Sequence, residues 1–292
     1  MEGHMKRNSV KILTAILTLS LLFSGCINTQ KEEEETTTSI DMNNVNPNFI
    51  GSYQTTQYQY LTNVDESLLT TNLDKTYLIL ANKTNALGST YEPATLTKLS
   101  CSTTYEMSLE SRAAQALYAM LDEMKAAGVS DISVTSAYRS YTKQAEVYNG
   151  WVRYESERIS NDAAKVFTYE YLKTHYYDKK IYQLSFEDAQ KVAQSYSALP
   201  GQSEHQTGLC VDFITSEMNG ELTEAFEDTE AFAWLAQNAY KFGFILRYPK
   251  GKEDITGYTY EPWHYRFVGR EAATDIYNGG TTLEQYLQPT SN

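Results

Sequence analysis

The alternation of apolar and polar positions is sharpest in "SEHQTGLCVDF", where Leu209, Val211 and Phe213 share one face of a predicted strand and leave Cys210 and Asp212 on the other. Upstream, "TYLILAN" at Thr76 to Asn82 is a short apolar run bounded by polar residues, which predicts a buried strand. From Ser108 the spacing turns helical. Ser108 is the expected cap, Ala113, Ala116, Leu117, Met120, Leu121 and Met124 form the apolar stripe, and Gly128 is the stop. "DISVTSAYRS" alternates through Ile132 and Val134 into a strand expected to end at Arg139. The stretch from Tyr141 to Ser197 reads as mostly helical, with a capped piece starting at Ser185, and "LPGQ" breaks it. "TEAFAWLAQNAYKFGF" predicts an amphipathic helix with Phe232, Leu235 and Ala239 on one side and Gly243 at its end. "FILRYP" and "WHYRFVG" read as closing strands. Single strands separated by helices, with hairpin-like returns near the end, predict an α+β domain built on a mainly antiparallel central sheet flanked by helices.

The amino-terminal pattern differs from all of this. Lys6, Arg7 and Lys11 precede an apolar run from Ile12 to Phe23 that is too short to span a bilayer. It closes on "LFSGC", which resembles the lipobox of bacterial lipoproteins, so residues 1–25 are expected to be a lipoprotein signal peptide and Cys26 the lipidated mature end. Residues 26–48 carry four consecutive glutamates and no aromatic residue, and are expected to form a disordered acidic tether. Residues 49–292 are then one substantial domain. This places the protein outside the cytoplasmic membrane, lipid-anchored, and expected to be a monomer.

The chain has a net charge of −13. Loss of the basic leader makes it more acidic still, which argues against nucleic acid as a partner. Export would permit Cys101 and Cys210 to pair, although two cysteines make no disulfide framework.

Histidine is scarce, with four in the chain. His205 leads through Gly208 into the strand bearing Asp212. His264 follows Glu261 by three residues, and Pro262 disfavours helix at Glu261, so this piece is a loop entering a strand. Two imidazoles and a carboxylate are one recipe for a catalytic zinc site with an open fourth position, and a second carboxylate such as Glu261 would be the base. On spacing alone a satisfied polar pair is the commoner reading of a histidine near an aspartate, and the chain has no H-E-x-x-H. His175 in "KTHYYDK" reads as a surface helix residue.

These residues carry a resemblance. "SEHQTGLCVDF" and "YEPWHYRFVG" look like the metal motifs S-x-H-x-x-G-x-x-x-D and E-x-W-H of the VanY group of D-alanyl-D-alanine carboxypeptidases, related to the VanX dipeptidases. "SAYRSYTKQ" and "KFGFILRYPKGKEDITGY" resemble further segments of that group, and the likeness runs from about Asn72 to Leu287. It implies one zinc ion per chain held by His205, Asp212 and His264, with Glu261 as general base. It also implies that Arg139 sits over the scissile carbonyl, and that Ser203 and Gln144 hold the substrate, at its free terminal carboxylate. The implied activity is removal of the terminal D-alanine from peptidoglycan stem peptides. L,D-carboxypeptidase or endopeptidase action on the same peptides is the alternative, and a non-catalytic wall-binding lipoprotein is the reading from a different class. Two departures stand out: Cys210 replaces a small residue such as alanine, and the tyrosine-rich segment between Gln144 and Ser203 is long, expected as a surface helical hairpin.

Two other chemistries are weaker. "SYTK" at Ser140 to Lys143 matches the S-x-x-K of penicillin-binding proteins, but K-T-G and S-D-N are missing. A cysteine nucleophile at Cys210 would lie in mid-strand without the cationic setting that activates a thiol.

Overall fold

The computed structural model describes residues 58–157 and 184–288. The signal peptide, the tether, Cys26, His175 and the middle of the tyrosine-rich segment lie outside them. Every described residue belongs to one of the chain's two compact units, Met42–Asn292.

Two sheets are built from six strands among the described residues. β1 (Leu96–Lys98) pairs antiparallel with β2 (Ser108–Glu110). The central sheet holds β3 (Ser133–Ser136), β4 (Cys210–Ile214), β5 (Phe244–Leu246) and β6 (His264–Phe267), in the order β3-β4-β6-β5 and antiparallel throughout. Helices flank it, so the α+β expectation is met.

The period-2 pattern of β4 comes out as read. Leu209, Val211 and Phe213 join Val134, Phe244, Tyr265 and Phe267 in a core that the apolar stripe of α1 (Ser111–Ala126) covers. Full burial of one such side chain contributes about 1.5–3 kcal/mol. Cys210 and Asp212 face away from that core, beside His264 and Arg266 of the neighbouring strand. The register sets Asp212 directly opposite His264 and Cys210 opposite Arg266.

Three expectations need correction. α1 starts at Ser111, because Ser108–Glu110 is already paired in β2; its cap is Glu110, whose carboxylate accepts from Arg112 N at 2.9 Å and Ala113 N at 3.0 Å. The run Thr76 to Asn82 is not a strand. Turns anchored on Asp74 start it, and the carbonyls of Tyr77 and Ile79 accept from the Arg266 guanidinium at 3.1 and 2.7 Å, so a side chain takes the place of a neighbouring strand. β3 ends at Ser136, three residues short of Arg139.

α2 (Tyr141–Glu157) and α3 (Phe186–Tyr196) pack through Tyr148, Val152, Leu184, Ala189, Val192 and Ala193, a small core separate from the central one. The Ser185 cap is present, accepting from Asp188 N. α4 (Glu230–Asn238) is capped by Thr229 and followed by a short 3-10 turn that ends at Gly243 with φ of +83°. α5 (Glu253–Thr256), α6 (Arg270–Gly279) and α7 (Leu283–Leu287) complete the chain, and no described helix is long and apolar enough to cross a membrane.

Candidate active site

His205 sits in a 3-10 turn, Glu204–Thr207, that leads into β4. Ser203 opens the turn, its hydroxyl accepting from His205 N at 3.4 Å, and Gly208 closes it at φ of +65°. A Cβ at Gly208 would lie 2.9 Å from Pro93 Cγ, so the sharp entry into β4 needs glycine in both conformation and space. On its outer side, His205 Nδ1 lies 2.7 Å from the Ala137 carbonyl. Only a donor meets a carbonyl, so Nδ1 carries a proton and Nε2 is the nitrogen turned inward to Asp212. The irregular register between Val134 and Ser136 sets Ser136 opposite Asp212, immediately before Ala137.

Asp212 lies between the two imidazoles. Its Oδ2 is 3.1 Å from His205 Nε2 and its Oδ1 is 2.7 Å from His264 Nδ1, with the rings nearly perpendicular at 87°. All three side chains are buried, at 4, 6 and 3 % exposure for His205, Asp212 and His264. Ligands at about 2.0–2.2 Å around a tetrahedral zinc sit roughly 3.3–3.6 Å from one another, and the 3.1 Å contact of Asp212 with His205 is close to that spacing.

The local field also favours positive charge. Burial disfavours an imidazolium at His205, yet Cys210 and Asp212 outweigh it and push the group up to about 9. Asp212 is held well below the ordinary carboxylate range despite its own burial, because both imidazoles face it. Cys210 also points here. Its sulfur and the ligand atoms of His205 and His264 lie within 4.8 Å of one another, so Cys210 also comes within reach of an ion held there. Burial would raise its thiol, and the two histidines reverse that to about 7, a cationic setting that the mid-strand position did not lead one to expect. Cys210 and Cys101 are both free.

Glu261 lies in the turn before β6, tied by its N–H to the Tyr248 carbonyl at 3.2 Å, as the proline-broken pattern predicts. Its Oε2 is 3.9 Å from His264 Nδ1. Burial pushes its carboxyl up, His264 opposes and Asp212 assists, and the result is about 7, where a carboxyl can both take and release a proton. Arg139 follows β3 and donates its backbone N–H to the His205 carbonyl at 3.0 Å. Its charge is felt at His205, and its Nε is buried without a hydrogen-bond partner.

The remaining expected residues are partly committed elsewhere. Gln144, on the first turn of α2, is buried and donates from Nε2 to the Ala198 carbonyl at 2.6 Å, leaving Oε1 without a partner. Ser140 caps the same helix by accepting from Lys143 N at 3.2 Å, and Lys143 pairs with Glu146 on the open surface. The S-x-x-K match is therefore a surface helix start.

Beneath His264 lies a layer the sequence reading missed. Glu204 Oε1 accepts from Arg247 Nε at 2.8 Å and Arg266 Nη1 at 2.7 Å, and Arg247 reaches on to both oxygens of Glu284 at 2.8 and 2.6 Å. Tyr248 packs against the His264 ring, with centroids 4.9 Å apart and planes tilted by 33°. The available signal was an arginine inside each of two apolar strand patterns, "FILRYP" and "WHYRFVG", since a charge in a central strand must be paired.

Two buried histidines bridged by a carboxylate, with a second carboxylate of raised pKa alongside, define a metallopeptidase class of site on an α+β scaffold. Residues 106–270 match the family model described as VanY, D-alanyl-D-alanine carboxypeptidase. The putative carboxypeptidase YodJ of Bacillus subtilis is 36 % identical over 89 % of this chain and 84 % of its own length. Among solved structures, the LdcB LD-carboxypeptidase is 36 % identical with a TM-score of 0.56, covering 71 % of this chain and 83 % of its own. A glutamate-to-alanine variant of the vancomycin-resistance D,D-pentapeptidase VanY in complex with Zn(II) is 35 % identical with a TM-score of 0.54, covering 73 and 99 %. The chain belongs to the VanY family and is a carboxypeptidase.

Proposed function

We propose that this protein removes the terminal D-alanine from peptidoglycan stem peptides or their precursors outside the cytoplasmic membrane, held there by a lipid on Cys26. The observation that carries the reading is the convergence of His205 Nε2, the Asp212 carboxylate and His264 Nδ1 beside Glu261. His205, Asp212 and His264 are the zinc ligands. Zinc bound there supplies a Lewis acid for the scissile carbonyl and lowers the pKa of water to about 7.

The chain's own groups do the rest. Glu261 takes the proton of the attacking water at its carboxylate and delivers it to the nitrogen of the departing alanine. Arg139 donates to the oxygen of the tetrahedral centre, where its unpartnered Nε–H is already desolvated. The hydroxyl proton of Ser203 is free to meet the substrate carboxylate, since the cap uses only the oxygen. Gln144 Oε1 accepts from a substrate amide. Support for the substrate comes from the relatives, which include a D-alanyl-D-alanine carboxypeptidase of Enterococcus faecalis that is 36 % identical over 72 % of this chain and 65 % of its own length. Both D,D and L,D enzymes occur among the structural neighbours.

Defined tetra- and pentapeptide muropeptides, incubated with and without a chelator and read by mass, test this. Release of one alanine from the pentapeptide, abolished by the chelator and restored by zinc, is expected. Release that survives the chelator and stops with a β-lactam would overturn the metal reading. Binding of the stem peptide without release would favour the non-catalytic wall-binding alternative.

A further inference from the structure

Glu204 is a side chain that the mechanism leaves without a task, although it is buried completely and charged. Its Oε1 accepts from two guanidiniums, Arg247 and Arg266, whose side chains are 0 % exposed, and Arg247 is shared with Glu284. Asn82 Nδ2 also donates to Glu284 at 3.1 Å. Two carboxylates and two guanidiniums leave the layer balanced. Such a layer is weak evidence for stability, because apolar residues of similar volume often serve as well, so its geometry asks for another explanation.

The other oxygen supplies it. Glu204 Oε2 has no hydrogen-bond partner and lies 3.6 Å from His264 Nε2, which has none either. Oε1 already meets two guanidinium donors, at 2.8 and 2.7 Å, which hold the group as a carboxylate. Oε2 is thus a fixed acceptor, never a donor, and a shift of a few tenths of an ångström joins the two orphaned atoms.

We infer that Glu204 is a positioning residue for the metal site: locked by Arg247 and Arg266, it takes the proton of His264 on Nε2 when zinc replaces the 2.7 Å hydrogen bond between Nδ1 and Asp212, and so frees the Nδ1 lone pair for the metal. The inference rests on the ligand assignment proposed above. His205 has the matching device in the Ala137 carbonyl at 2.7 Å, so one rigid acceptor stands behind each imidazole.

Glu204→Gln is the informative change. With the amide oxygen turned to the two guanidiniums, its NH2 faces His264 Nε2 and makes that atom an acceptor, which moves the proton to Nδ1 and blocks the metal. Zinc affinity, measured by competition with a chromogenic chelator, is expected to fall about 10–100-fold. Glu284→Gln, at the far end of the same layer, should lower the melting temperature and leave zinc affinity unchanged. A Glu204→Gln protein that melts lower but binds zinc as tightly as wild type would overturn the inference, because Glu204 would then only stabilise the fold. Should that variant fail to fold, the wild-type zinc protein still decides. Its nitrogen-15 spectrum must show His264 protonated at Nε2 and coordinated through Nδ1, and the reverse assignment would sink the proposal. His264→Ala separates this from an error in the ligand assignment: if zinc binds that variant normally, the ligand assignment itself is wrong.

Discussion

The proposed metal donors and the proposed proton-handling groups are built on different kinds of backbone. Asp212 and His264 lie on adjacent strands, directly opposite one another in a hydrogen-bonded register. Glu261 and Arg139 lie on connections, one in a turn before β6 and the other beyond β3, and both are less completely buried than the donors. His205 stands between these cases, on a turn pinned by Gly208 and by the Arg139 N–H. The difference follows from the tasks. A metal site gains from donors whose spacing the sheet sets, whereas a base and an oxyanion donor must reach a substrate that arrives from outside.

If that division is right, removing a turn-borne group should stop turnover and leave the metal in place. Glu261→Ala is expected to have the largest effect, a fall in kcat of at least about 10²–10⁴-fold, since general acid–base catalysis contributes that much. Zinc content, measured by elemental analysis of purified protein, should stay at one per chain. A variant retaining substantial activity would show that the base lies elsewhere.

Arg139→Ala should cost somewhat less, about 10²–10³-fold in kcat, the usual loss for one oxyanion donor. The turn at His205 should survive, because the contact that holds it is the backbone N–H of residue 139, which alanine also has. Arg139→Lys should recover only part of the loss, since a point charge does not reproduce a planar fork of donors. Unchanged kcat with a raised KM would instead place Arg139 at ground-state binding.

What the sequence made legible follows the same division. The alternation in "GLCVDF" placed Leu209, Val211 and Phe213 in the core and Cys210 and Asp212 at the site, because period 2 is a local property of a strand. Pro262 likewise announced the turn at Glu261. The opposition of Asp212 and His264 depends on a register between segments some fifty residues apart, so it was reachable only through the family motifs. Thr76 to Asn82 misled for a related reason. Its apolar residues do pack inward, with Leu78 and Leu80 against the cluster of Ile245, Val268 and Ile276. Its carbonyls, however, are satisfied by Arg266, a partner no local pattern announces. Glu204 was in plain view within "SEHQ", but its role requires Arg247, Arg266 and His264 around it.

Cys210→Ala should show the smallest effect and gives the sharpest test of which residue on β4 is the third ligand. Cys210 and Asp212 are two residues apart on one face, so both side chains come near the histidines. Asp212 contacts both imidazoles directly, at 3.1 and 2.7 Å, while the Cys210 sulfur and the two histidine ligand atoms all lie within 4.8 Å of one another. The thiol is fully buried. Its removal leaves a space of about one methyl group, worth about 1 kcal/mol of stability by analogy with isoleucine-to-valine changes. Activity within a few-fold of wild type and full zinc content are therefore expected, with a slightly lower melting temperature. Asp212→Asn should instead lose zinc, because a neutral amide removes the charge that both imidazoles face. If the two variants exchanged these behaviours, the ligand would be the sulfur, and the register between β4 and β6 would serve to orient Cys210.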